Sequence, residues 1–584
     1  MSFPRICWSV FLVLLLWFPK SSLAVAVEGC PRPVIGSEVT EPDDLRSENG
    51  VLKVEIEYRT AVEPDGLRRF CFLTKDGSQA PNLRLKSGDL LMLTLKNNLP
   101  ASEQAHHAGM HSRILPCTNS SLAADTTNLH FHGLVIAPSC HQDDTLNTAV
   151  RPSDSYEYKF KIPTDQPPGV YWYHPHIHGF TKVQVLGGAS GALIVEGIET
   201  LNPEIRGLPE RVFVVRDQDL LNPNADPISI DGLPPPMVFK DPDGDVMNTG
   251  TGTGKPAKDL SINFVSVPFP EYKPAVIRMR PKEKQFWRLL NASAITYVDV
   301  QLLYNEAPQP LGLVAIDGVS LNHENAKGID KWRSHILLPP AGRAEFTVTG
   351  PLAGVHARLV TRSVDTGPVG DNDPVRPLAN ILVDANAPEP RSFLSNAKPQ
   401  GRPVGYVPLR EVKPVRTRLL YFSERPQDPK DPNSPILFFV TLDGQEPKQF
   451  DHNSTLPNIT VHGGDVEDWI IENRSKELHA FHIHQIHFQL MEWNGVPISE
   501  PFLRDTVNVP YWREKMMTYP SVKLRMDFRD AKISGTFAYH CHLLEHQDGG
   551  MMGLIRVEPQ FSAAKPGKIM AEKISAKSKT HSSN

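Results

Sequence analysis

Apolar positions along this chain recur in short runs, and helical periodicity is scarce. The runs are rich in β-branched and aromatic residues: LLMLTLKNNL (90–99), YEYKFKIP (156–163), ALIVEG (192–197), RVFVVRDQD (211–219), AEFTVTG (344–350) and FQLMEW (488–493). Each is bounded by Gly, Pro, Asn or Asp, the residues that make turns. That spacing predicts strands assembled into β-sandwiches, an all-β fold. The pattern breaks near 198–208 and over the proline-rich, polar stretch 384–405. The predicted plan is a leader (1–26), a first domain (27–200), a second (201–388), a linker (389–412), a third domain (413–560) and a solvated tail (561–584). The tail carries five lysines among Ser, Ala and Gly, a composition that does not build a core.

The first and last domains share an internal repeat. GVYWYHPH (169–176) and GTFAYHCH (535–542) are both Gly-x-aromatic-x-Tyr-His-x-His. Downstream, GGASGALIVE (187–196) matches GGMMGLIRVE (549–558); upstream, LHFHG (129–133) matches FHIHQ (481–485). The motifs keep their order, so the two domains are expected to be copies of one β-unit. The middle domain has no His-x-His pair and is expected to be a spacer.

Strand parity turns the repeat into chemistry. The four His-x-His pairs are His130/His132, His174/His176, His482/His484 and His540/His542. Residues i and i+2 of a strand face one side, so each pair aims two imidazoles at one place. The pairs account for eight of 22 histidines. Cys541 lies between His540 and His542 and therefore faces the opposite way. His479, three residues before His482, is also of opposite parity and can join Cys541, with His546 and Met551 following on the next loop. Two imidazoles, a thiolate and a weakly held thioether form the ligand set of a blue-copper electron-transfer centre. Zinc prefers a closed set of Cys and His and would leave Met551 unused. The positions corresponding to this set in the first domain are Thr127, Pro175, roughly Phe180, and Ala189, none a good copper ligand. The eight paired histidines then converge from both copies into one shared cluster, large enough for more than one metal ion.

Composition adds compartment and excludes one class. Lys and Arg number 61 against 66 Asp and Glu, a net charge of −5, with no basic excess of the kind nucleic-acid binding needs. Arg5, the apolar run from Ile6 to Phe18 and the small residues Ser22–Ala26 read as a secretory signal, which predicts a secreted or periplasmic protein. That run is shorter than the ~20 residues a membrane span requires. Cys7 leaves with the signal, and five cysteines remain. In an oxidising compartment four can pair. Cys541 is the one left over, and Cys30–Cys71 with Cys117–Cys140 is favoured among the three possible connectivities.

The motifs HFHG, HPH, HAFHIH and HCHLLEHQDGGMM resemble those of the multicopper oxidases, the family of laccases, bilirubin oxidases and bacterial copper-efflux oxidases. The resemblance covers most of the mature chain. It implies three cupredoxin domains and four copper ions. His479, Cys541, His546 and axial Met551 would hold the type 1 copper, and His130 and His482 the type 2 copper. His132, His174 and His542 would hold one type 3 copper, and His176, His484 and His540 the other. It further implies four one-electron oxidations of a donor at type 1, coupled to reduction of dioxygen to two waters at the cluster. An aspartate after the first His-x-His-Gly would help deliver protons, and Asp143 and Asp144 are both candidates. The chain departs from many relatives at Ala480 and Gln485, where Pro and Gly are usual, and at Gln547, where an acid is common and Asp548 follows.

Other features carry less. HHAGMH (106–111) reads as a polar loop, and His178 and His487 as supporting residues. Asn-x-Ser/Thr sequons begin at Asn119, Asn291, Asn453, Asn458 and Asn473. The expected activity is oxidation of phenols, aromatic amines or tetrapyrroles by dioxygen, by a monomeric enzyme. The alternatives are a metallo-oxidase acting on Cu(I) or Fe(II), and a non-enzymatic cupredoxin-like envelope protein. The 13 methionines form no dense cluster away from Met551 and Met552, which ranks the cuprous version lower.

Overall fold

A computed structural model describes residues 29–559, apart from 102–116, 118–121, 227–238, 241–245, 248–253, 322–330, 396–408 and the short gaps 432–433, 455, 502 and 515. The leader, the HHAGMH loop, the Asn119 sequon, much of the linker and the tail lie outside the described residues. The fold is nearly all-β, as the run pattern predicts. Among the described residues, no helix is long and apolar enough to cross a membrane.

Three cores organise the chain, each enclosed by two sheets. In the first, the four-stranded sheet Arg68–Leu73, Val51–Val62, Leu90–Asn97, Ser155–Lys161 faces a five-stranded sheet. The Ser155–Lys161 strand alternates: Tyr156, Tyr158 and Phe160 are buried and the residues between them exposed. One face of this sheet therefore meets water. The five-stranded sheet runs Asp44–Arg46, Asn82–Leu85, Gly191–Val195, Gly169–His174, His130–His132, and its last three strands are buried at every position. Tyr171, Tyr173, Leu193 and Val195 fill the first core. Val170, Trp172, Ala192 and Ile194 point the other way, against Val212, Val214 and Leu290 of the middle unit. Being covered on both faces is what makes GVYWYH and GALIV read as continuous apolar runs.

The last unit repeats the plan. Its five-stranded sheet runs Ile459–His462, Met552–Glu558, Gly535–Cys541, His479–Ile483, Thr506–Val509. In both copies the first of the repeat strands pairs parallel with the second, and the remaining repeat pairs are antiparallel. The register matches as well: His130 lies opposite His174, and His482 opposite His540. Short helices follow the His-x-His strands, Thr181–Leu186 in the first copy and Leu544–Asp548 in the last. Val185 and Leu186 pack there with Leu544 and with Ala294 and Ile295 of the middle unit, so all three units meet beside the histidines.

Both favoured disulfides, Cys30–Cys71 and Cys117–Cys140, are formed. Cys541 is free and buried. Of the sequons, Asn291 and Asn473 are buried with their amides donating to backbone carbonyls. In the folded chain they offer no acceptor for a glycan.

Candidate metal centre

The paired histidines converge where the two repeat units face each other. His132, His174 and His542 place one ring nitrogen each within 4.8 Å of one another, and so do His176, His484 and His540, and His130, His132 and His482. All these side chains are buried. The Nε2 atom of His540 lies 3.3 Å from that of His176 and 3.3 Å from that of His484. Parity explains the convergence, and the shared register sets the two ladders of imidazoles face to face. His130 stacks on His484 at 3.9 Å between ring centroids, and His132 on His482 at 3.9 Å.

Most rings are fixed by a hydrogen bond from the nitrogen that faces away. His174 Nδ1 donates to the Pro175 carbonyl at 2.8 Å, and His540 Nδ1 to the Cys541 carbonyl at 2.9 Å. His130 Nδ1 donates to Asp143 at 2.9 Å, His482 Nδ1 to the Asp505 carbonyl at 2.8 Å, and His132 Nε2 to the Asp505 carboxylate at 3.1 Å. The opposite nitrogens of His130, His132, His174 and His482, His484 Nδ1 and both nitrogens of His542 are buried with no protein partner. An unpaired buried polar atom is costly. A convergent set of them fits a bound cation, and outer hydrogen bonds of this kind fix the tautomer a metal ligand needs. Burial, with neighbouring imidazoles adding to it, pushes His174, His176, His484 and His542 well below the usual histidine range and His540 down to about 3. The rings are therefore neutral donors at physiological pH.

The structure separates the two aspartate candidates. Asp143 is buried against His130, accepts the Phe131 N–H at 2.9 Å and accepts the Gln485 amide at 2.5 Å. Asp144 accepts from Asn147 instead. Gln485 has φ of +59°, the left-handed region in which glycine is the least strained residue. Its side chain, absent from glycine, reaches Asp143.

A second group forms behind the cluster strand. Cys541 Sγ lies 3.5 Å from His479 Nδ1 and 3.7 Å from His546 Nδ1, and the two nitrogens are 3.1 Å apart. Met551 is buried in the same core, and its N–H donates to the His546 carbonyl at 2.8 Å. The outer nitrogens face acids: His479 Nε2 lies 2.9 Å from Glu424 and 2.8 Å from Ser475 Oγ, and His546 Nε2 lies 3.1 Å from Glu477. Burial opposes charge on His479, yet Cys541 and Glu424 raise it to about 9. Burial, with His479 adding to it, pushes His546 the other way, well below the usual histidine range. A cavity of about 370 Å³ opens onto His546, lined also by Glu424, Glu477, Phe438 and Trp512. Phe438 stacks on His546 at 4.3 Å.

The corresponding place in the first unit is occupied by a hydrogen bond. Thr127 Oγ1 donates to Gln184 Oε1 at 3.2 Å, and Gln184 Nε2 donates to the Thr126 carbonyl at 2.8 Å. Gln184 stands three residues before Gly187-Gly188, as His546 stands three before Gly549-Gly550. It is therefore Gln184, not Phe180, that corresponds to His546. The helix after the strand is offset between the copies, which direct counting along the chain overlooks.

Asp505 and Arg343 carry no motif, and the sequence does not single them out. Arg343 of the middle unit donates to both carboxylate oxygens of Asp505, at 2.7 and 2.5 Å, and both side chains are fully buried. Asp505 also holds His132 of the first unit and His482 of the last. Gly133, with φ of +88°, lies so close that a Cβ would stand 2.7 Å from Arg343 Nη2 and 2.7 Å from Asp505 Oδ2. Glu424 and Glu477 are likewise unmarked, although Glu477 stands only two residues before His479. Replacing Asp505 by Ala strands the Arg343 charge and frees the ring of His132, while the backbone carbonyl that holds His482 remains. Denaturant unfolding is expected to show a loss of about 3–5 kcal/mol, and an unchanged midpoint would refute the role given to the pair.

Sequence profiles of the multicopper oxidases match residues 114–200 and 429–560, the segments that hold all four His-x-His pairs. The chain is 24% identical to a multicopper oxidase of Staphylococcus haemolyticus over 485 residues, covering 82% of this chain and 81% of the relative. It is 21% identical to the iron transport multicopper oxidase of Gibberella zeae, covering 76% and 70%. Among solved structures, a multicopper oxidase of Aquifex aeolicus superposes with a TM-score of 0.61 at 18% identity, covering 89% of this chain and 99% of that one. The Campylobacter jejuni multicopper oxidase, a metallo-oxidase, gives 0.59 at 21%, covering 90% and 96%. These two likenesses carry the fold alone. With matched profiles over both repeat units, relatives spanning most of its length and the same motif order, the chain carries two multicopper oxidase domains, the domains of oxidoreductases with dioxygen as acceptor.

Proposed function

We propose that this protein couples four one-electron oxidations of a donor at the Cys541 group to reduction of dioxygen to two waters at the histidine cluster. One observation carries the reading. The Gly535–Cys541 strand puts Cys541 on one face and His540 on the other, so a single peptide unit separates the two groups. In this reading His479, Cys541, His546 and Met551 form the type 1 set, and His130 and His482 the type 2 set. His132, His174, His542 and His176, His484, His540 form the two type 3 sets. Copper bound in these sets supplies the one-electron chemistry. The chain supplies the rest: outer hydrogen bonds that hold each imidazole in one tautomer, and a buried setting that excludes bulk water.

Water formation consumes protons in a buried site, and a carboxylate can relay them. Asp143 is the residue we assign to this, because it touches His130 while Asp144 does not. Export agrees with the disulfides: both bridges lie in the first unit and suit an oxidising compartment.

The donor pocket supports two readings. Phe438, Ile436 and Trp512 give it an apolar wall that suits a phenol, an aromatic amine or a tetrapyrrole. The second reading, a metallo-oxidase taking Fe(II) or Cu(I), is favoured by one observation: Glu424 and Glu477 sit against the outer nitrogens of both type 1 histidines, oxygen donors aimed at the electron's entry point. The iron transport relative agrees with it.

Three measurements test these assignments. Cys541→Ser should abolish the intense blue absorption and oxygen uptake with either donor class while circular dichroism stays unchanged; persistence of the blue band would refute the type 1 assignment. Asp143→Asn should slow oxygen uptake at least about tenfold at saturating donor and leave Asp144→Asn near wild type. Equal rates for the two variants would remove Asp143 from the proton path. Glu424→Gln and Glu477→Gln should raise KM for Fe(II) by about tenfold or more and spare KM for a phenol. A parallel rise for both donors would assign the acids to holding the histidines and dismiss the metal-ion reading.

A further inference from the structure

Two adjacent methionines end the last metal motif, and they go to different places. Met551 packs in the core that holds Cys541. Met552 begins the next strand and packs outward with Ala538 and Leu554. There it lines a second cavity of about 190 Å³, on the opposite side of the strand from the type 1 set. The inner wall of this cavity is His176, one of the cluster histidines. His178 and His452 flank it, with ring centroids 6.4 Å apart. His178 Nδ1 is buried and has no protein partner, and His452 is exposed at the mouth.

Imidazole and thioether together select a soft ion, and copper in its cuprous state is the soft ion this family handles. The separation of the two rings leaves room for one ion between them at metal–nitrogen distances of about 2 Å. Arg556 also lines the cavity, with its Nε donating to Thr536; its charge disfavours a divalent ion more than a monovalent one. No acid lines this cavity, in contrast to the donor pocket with Glu424 and Glu477.

We propose that this cavity is a docking site for a single cuprous ion, held by His178, His452 and Met552, from which the histidine cluster is loaded past His176. The inference rests on the reading of the cluster histidines as copper ligands. It gives the two methionines distinct jobs: Met551 serves the finished type 1 set, and Met552 serves delivery to the other side. No electron changes hands in this step; the ion passes between imidazole and thioether donors.

The test is a loading experiment on the full-length chain stripped of metal, kept free of oxygen and supplied with cuprous ion as its bicinchoninate complex. Copper per chain is read by metal analysis after rapid desalting. The type 1 set is read separately, by the blue band that develops when samples are oxidised. His178→Ala combined with His452→Ala should slow filling of the cluster at least about tenfold while the blue band develops at the wild-type rate. His452→Gln alone, at an exposed position, and Met552→Leu, which keeps the apolar packing, should each slow cluster filling as well. Cluster filling at wild-type rates in these variants would overturn the proposal and leave the ligand assignment standing. A wild-type chain that fills the type 1 set and never the cluster would overturn both.

Discussion

The buried pair of Arg343 and Asp505 is the contact on which the cluster depends. A charge taken out of water is costly unless it is paired and hydrogen-bonded. Here the pair is bidentate, and the remaining valences of Asp505 are used by the ring of His132, the hydroxyl of Thr506 and, through the backbone, the ring of His482. Arg343 in turn donates to carbonyls of Val170 and Ala341. One residue therefore fixes a cluster histidine of the first unit through its carboxylate and one of the last through its backbone carbonyl, and its carboxylate is anchored by the middle unit. The middle unit is more than a spacer: among the described residues it offers no imidazole to the cluster, but it sets the position of two that do.

What could be read from the chain follows from what parity encodes. His-x-His pairs and an intervening cysteine are local patterns, and a strand of period two converts them directly into faces. The repeat then supplied the register, since His130 and His482 must sit alike if the motifs are copies. Cys541 facing away from His540 and His542, the disulfides and the all-β architecture were legible for these reasons. Asp505, Arg343, Glu424 and Glu477 were not. Each acts through a partner distant in sequence, Arg343 and Asp505 standing 162 positions apart, and no local pattern reports which remote segments a fold brings together. The choice between Asp143 and Asp144 failed for a related reason. Neighbours in a loop obey no strand parity, so only their hydrogen-bond partners tell them apart.

Departures from the family pattern prove informative once placed in space. Gln485 stands where glycine is usual, and its positive φ shows why glycine is usual there. The strained backbone is retained, and the added amide donates to Asp143. Gln184 tells the complementary story in the first unit. With Thr127 it satisfies by hydrogen bonding a place where the last unit assembles His479 and His546. Polar side chains remain at these positions because the site is buried in both copies and apolar replacements would have to refill it. The first unit thus pairs polar side chains with each other where the last unit gathers Cys541, His479 and His546.

The two sides of the Gly535–Cys541 strand also differ in what stands behind the ligands. On the cluster side the outer nitrogens end on backbone carbonyls or on carboxylates that are already engaged, Asp505 by Arg343 and Asp143 by the Gln485 amide and the Phe131 N–H. On the Cys541 side they end on Glu424 and Glu477, which line a cavity open to solvent. On the Cys541 side the acids share their open pocket with Arg425, Arg474 and Lys476, whereas on the cluster side each carboxylate is closed in by buried partners. A single strand can keep these environments apart because successive side chains point to opposite faces, so one residue's step along the chain changes both the metal set and the field around it.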